Sequence, residues 1–99
     1  MNQPRKSVLA RITGRVQRVS FRAWTRREAT RLGLAGWVRN EADGSVSALL
    51  DGPETAVDAM VRLLWQGPPA SRVTHVAVEN SPPGEIRGRF EIRDRNGSG

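Results

Sequence analysis

The spacing of apolar residues along this chain changes from two to about 3.6 and back, and that alternation restricts the fold more than any other feature. In "SVLARIT", Val8, Ala10 and Ile12 alternate with Leu9, Arg11 and Thr13, which predicts a strand with one buried face, ending at Gly14. From about residue 22 to 32 the period lengthens. Phe21, Thr25, Ala29 and Leu32 fall near one helical stripe while Arg26, Arg27 and Arg31 point elsewhere, and Gly33 suits a left-handed residue just past the helix. "GWVRN" and "SVSALL" return to strand character around "EADG", where the Asp43-Gly44 step suits positive backbone angles in a hairpin turn. "DGPETAVDAMVRLLWQGPP" marks both ends of a second helix. Pro53 stands as its first residue, Glu54 lies near the positive end of its dipole, Val57, Met60, Val61 and Leu64 form its apolar stripe, and Gly67-Pro68-Pro69 stops it. "VTHVAV" and "RFEIR" then supply a fourth strand and a short last one, with "SPPGE" as a turn or loop between them.

The resulting order predicts an α+β, ferredoxin-like βαββαβ sandwich: an antiparallel sheet, two helices on one face, and right-handed crossovers. At 99 residues the chain is expected to be one domain over 1–99, with a core of about 6–94 and a frayed "NGSG" end. The absence of cysteine excludes a disulfide framework and thiolate metal sites. The apolar run near the N-terminus stops at Arg11, too early for a signal peptide, and "LGLAGWV" is far short of the ~20 residues that span a bilayer. A cytoplasmic monomer that does not engage membranes is therefore expected. His75 is the sole histidine and has no carboxylates at a metal-binding spacing, so no metal is expected. Trp24, Trp37 and Trp65 are expected to be core or half-buried packing residues.

Charge is distributed unevenly. Residues 1–40 hold ten Lys and Arg against one acid, Glu28, whereas residues 41–99 hold six against nine. Anion binding thus belongs in the first part of the chain, although the field alone would steer a phosphorylated metabolite and a nucleic acid equally well. The stretch "GRVQRVSFR", residues 14–22, lies between the first strand and the first helix. Amides of residues 15–21 there precede the free N–H groups of the first helical turn, so a tetrahedral oxyanion would meet several donors and the positive dipole end. Arg22, at the helix start, could fork onto two phosphate oxygens.

At this point the sequence resembles the acylphosphatases, small ferredoxin-like enzymes that hydrolyse carboxyl-phosphate anhydrides. The resemblance rests on "GRVQRVSFR", on "LGLAGWVRN" followed by "DGSV", and on "GPETAVDAMVRLLWQGPPASRV", which together span nearly the whole chain. It implies that Arg22 binds the phosphate, that Asn40 orients the attacking water, and that Val16, Gln17, Arg18, Val19, Ser20 and Phe21 form the backbone cradle, with Gln17 bracing the loop. It further implies an acyl phosphate substrate, inorganic phosphate or sulfate as competing anions, and no cofactor or metal. The sequence departs from the family's pattern at one position: the loop usually reads Val-Gln-Gly-Val, and the third residue here is Arg18. If that position needs a positive φ, a side chain costs roughly 1–2 kcal/mol of strain. The Arg18 side chain is expected to lie in solvent.

Three other readings are carried forward. A ferredoxin-like nucleic-acid-binding module would share the positive charge, but "SVSALL" has no aromatic residue and "GWVRN" only one, against the aromatic signature of an RNA-recognition sheet. An inactive relative that retains phosphate binding is possible if Arg18 spoils the cradle. Acylphosphatase-like modules also occur in larger carbamoyl-transfer proteins of hydrogenase maturation, which continue into zinc-binding cysteine regions; with no cysteine, this chain is expected to be a free-standing hydrolase.

Overall fold

The computed structural model describes residues 4–82 and 88–94. Its elements run β1 (Arg5–Arg15), α1 (Phe21–Arg31), β2 (Ala35–Asn40), β3 (Val46–Pro53), α2 (Glu54–Gln66), β4 (Arg72–Asn80) and β5 (Phe90–Arg93). The strands form one sheet in the order β4-β1-β3-β2-β5. The four strands of the ferredoxin-like core pair antiparallel, as expected, whereas β5 adds to β2 in parallel and makes the sheet mixed. A short strand returning after β4 can reach the free edge of β2 only by crossing the end of the sheet, and local spacing does not reveal the direction in which it docks.

Register explains which side chains the helices cover. Ala10 lies opposite Ala48 and Val78, Ala48 opposite Val38, and Val38 opposite Ile92, so these residues share one face. Val8, Ala10, Ile12, Val38, Val46, Ala48 and Leu50 from that face join Phe21 and Ala29 of α1 and Val57, Met60 and Leu64 of α2 in one buried cluster. α1 packs on β2 and β5, while α2 packs on β1, β3 and β4. Burying each large aliphatic side chain contributes roughly 1.5–3 kcal/mol, and this shared core fixes where the ends of β1 and β2 lie relative to α1. No helix among the described residues is long and apolar enough to cross a membrane.

Several local expectations shift by a residue or change in kind. β1 does not stop at Gly14 but runs to Arg15, with its pairing to β4 interrupted between Thr13 and Gly14. Gly14 has φ 126°, and a Cβ there would stand 2.1 Å from the Arg72 carbonyl oxygen, so glycine lets the two backbones touch at this irregularity. Pro53 caps α2 instead of opening it; the helix begins at Glu54. In the β2–β3 turn only Gly44 takes a positive φ, because Asp43 folds the turn with its side chain: Oδ1 accepts from the Ser45 amide at 2.9 Å and from its hydroxyl at 2.6 Å. Trp24 packs against the core and Trp37 is half-buried, but Trp65 is 47% exposed, its ring meeting His75 edge-on at 5.7 Å. The "NGSG" end and residues 83–85 of "SPPGE" lie outside the described residues.

Candidate active site

The loop between β1 and α1 reverses by alternating its backbone handedness. Arg18 and Ser20 have φ 64° and 61°, while Val19 between them does not take a positive angle. Alternating handedness of this kind is the backbone pattern of anion-binding nests, in which successive amides turn toward a common side. Ser20 caps α1 in the left-handed conformation and gives the helix no side-chain acceptor; its carbonyl takes the first helical bond, from the Trp24 amide at 3.0 Å. The first turn of α1 also carries no acidic residue. The positive end of the helix dipole and its free N–H groups are thus left uncompensated.

This loop borders a pocket of about 200 Å³ whose walls include Val16, Arg18, Ser20, Phe21, Arg22 and Asn40. The other two cradle residues do different work. Val19 packs against the core. Gln17 turns away and spans to the β2–β3 turn, where its Nε2 donates to the carbonyls of Glu41 and Ser45, each at 2.9 Å. That brace holds the loop against the strand end that carries Asn40.

Asn40 closes β2 opposite Val46, which in turn lies opposite Ile12, so its side chain belongs to the helix-covered face. Its Oδ1 is buried and has no hydrogen-bond partner among the described residues. A buried acceptor left unpaired costs about 1–3 kcal/mol, a cost that folded proteins keep chiefly where a ligand or water is to be held. Arg22 stands at the start of α1 with its side chain 34% exposed, and its Nη1 is 4.0 Å from Asp94 Oδ1, just beyond β5.

Among the described residues, no carboxylate or imidazole lines the pocket. Glu41, next to Asn40 in sequence, is engaged elsewhere: burial pushes its carboxyl up, but hydrogen bonds from Arg39 (2.9 Å) and Ser47 and the charges of Arg39 and Arg11 outweigh this and hold it below its ordinary value. Among the described residues, no group of three or more Asp, Glu or His side chains could hold a metal ion. The site therefore offers fixed donors, two arginine side chains among its lining residues and one carboxamide acceptor.

The sequence matches the family model described as Acylphosphatase over residues 8–92. The chain belongs to the acylphosphatase family. An acylphosphatase of Rhizobium meliloti (strain 1021) is 54% identical over 92 residues, which cover 93% of this chain and 97% of that one. Among solved structures, the acylphosphatase from Bacillus subtilis is 41% identical with a TM-score of 0.82, covering 87% of this chain and 96% of that chain. One from Coxiella burnetii is 30% identical with a TM-score of 0.85, covering 90% of this chain and 93% of that chain.

Within this acylphosphatase fold, two residues that β5 brings to the site escaped the sequence reading. Ile92 lines the pocket from β5, and Asp94 approaches Arg22 from just beyond it. Both depend on the parallel pairing that sets Ile92 beside Val38. The one available signal was the apolar alternation Phe90, Ile92 within "RFEIR", which marks a strand but not its neighbour.

Proposed function

We propose that this acylphosphatase-family enzyme cleaves the carboxyl-phosphate bond of acyl phosphates by in-line attack of a water that Asn40 orients, on a phosphoryl group held by Arg22 and the amides of residues 16–21. The observation that carries this reading is the buried, unpartnered Oδ1 of Asn40 in the same pocket wall as Arg22 and the left-handed loop. A water donating one hydrogen to that oxygen satisfies it and is thereby aimed along a fixed direction. Restricting a nucleophile in this way removes much of the entropy cost of attack.

The described lining residues, which include no carboxylate or imidazole, suit the bond broken. The leaving group is a carboxylate whose conjugate acid has a pKa of about 4–5, as side-chain carboxyls do, so it departs without a proton. Asn40 accepts from water but takes no proton away; the proton passes to a phosphoryl oxygen of the substrate as the new P–O bond forms. What remains for the protein is charge stabilisation and alignment. A unit charge pair at ~4 Å is worth about 4 kcal/mol at an effective dielectric constant of 20, which sets the scale for Arg22.

The test is hydrolysis of acetyl phosphate and benzoyl phosphate by the purified protein and its variants. Arg22→Ala and Asn40→Ala should each lower the rate by on the order of 10²- to 10³-fold while remaining folded. Inorganic phosphate and sulfate should compete with substrate in the unmodified protein and lose potency in Arg22→Ala. Near-normal turnover in either folded variant would refute the assignment.

A further inference from the structure

Arg18 is an expensive residue for its place. Its φ of 64° costs an L-residue roughly 1–2 kcal/mol that glycine would not incur, and its side chain is exposed. Yet it borders the pocket with Arg22 and Asn40, and among the described residues it makes no ion pair. Arg22 differs, having Asp94 within 4.0 Å.

Exposure grades the three side chains. Asn40 Oδ1 is buried, the Arg22 side chain is about one-third exposed, and Arg18 is exposed. In-line displacement places the entering and leaving oxygens on opposite sides of phosphorus. With the water held by the buried Oδ1, the carboxylate leaves toward the exposed side of the pocket, which sets the acyl portion of the substrate toward Arg18. From this we propose that Arg18 is a specificity-determining residue: its guanidinium contacts the acyl portion and favours acyl phosphates whose acyl chain carries a second negative group over those with a neutral chain. The inference rests on the hydrolase reading above and deepens it.

The alternative roles of this guanidinium make distinct predictions. A contact to the phosphoryl group itself would serve every acyl phosphate equally, and a solvated side chain would serve none. The quantity to measure is therefore the ratio of kcat/KM for succinyl phosphate to that for acetyl phosphate, because any general change in the loop cancels in it. Two neutral replacements that tolerate positive φ, Arg18→Gly and Arg18→Asn, separate charge from backbone strain. Both should lower the ratio by about threefold or more, the scale of one partly exposed charge pair, and raised salt should lower the unmodified protein's ratio toward theirs. A ratio that falls by less in either variant overturns the role of Arg18 while leaving the hydrolase reading intact. If the unmodified protein hydrolyses neither substrate, both fall together.

Discussion

The side-chain amide of Gln17 donates to the main-chain carbonyl of Glu41 at 2.9 Å, tying the loop before α1 to the residue that follows Asn40. A second bond, to the Ser45 carbonyl, completes the clamp. The β1–α1 loop and Asn40 come from segments far apart in sequence, and this amide ties the two together. Gln17→Ala removes two hydrogen bonds with a net worth of roughly 0.5–1.5 kcal/mol each. The melting midpoint should fall by about 4–8 °C per kcal/mol lost. Turnover should fall further than stability explains, because a misplaced nucleophile loses alignment. A variant with normal kcat and only a lowered midpoint would reduce Gln17 to a structural brace.

Asn40 should behave in the opposite way. Its buried Oδ1 accepts no hydrogen bond from the described residues, so truncating the carboxamide breaks no protein–protein bond at that oxygen. Asn40→Ala should therefore melt no lower than the unmodified protein while losing activity. Thermal unfolding beside acetyl phosphate turnover reads both, and a substantial loss of stability would show that the carboxamide serves the fold.

Much of this arrangement is written in local spacing, and some is not. The stripe Phe21, Thr25, Ala29 and the alternation Val8, Ala10, Ile12 are visible because periodicity reports which side of an element is buried, and all six are buried. Arg22 and Asn40 are visible because their flanking residues form a recognisable pattern. The left-handed angle at Ser20 is hidden, since serine carries no strong preference for it and the cost is met by the surrounding loop. Ile92 and Asp94 are hidden for another reason: their place follows from a pairing between β2 and β5, separated by two strands and a helix. The carboxamide of Gln17 lies between these cases. Its bracing role could be expected, but its partners at Glu41 and Ser45 could not.

Gly36 and Gly44 offer a contrast that tests the packing of β2 on β3. Both have positive φ, at 139° and 93°, but a Cβ on Gly36 would lie 1.8 Å from the Leu49 carbonyl oxygen, whereas one on Gly44 meets nothing within 4 Å. Gly44→Ala should cost only the conformational penalty, roughly 1–2 kcal/mol. Gly36→Ala must push β2 from β3 and should lose more than about 4 kcal/mol or fail to fold. Urea unfolding of the two variants decides the matter, and similar midpoints would mean that the close approach of Gly36 to Leu49 is wrong.

The β2–β3 turn should also make part of the stability depend on acid. The Asp43 carboxyl is drawn from its ordinary 3.8 to about 2, first by the Ser45 hydroxyl, then by the Ser45 amide and by Arg11. A folded-state value below the unfolded one means that the native protein holds fewer protons than the unfolded chain. The stabilisation is complete above the unfolded value and disappears as pH falls through the folded one. The urea midpoint of the unmodified protein should therefore exceed that of Asp43→Asn at pH 5, and the gap should close between about pH 4 and pH 2. A gap of constant size across that range would show that the carboxylate's charge contributes nothing to the turn, and with it nothing to the Ser45 carbonyl that anchors Gln17.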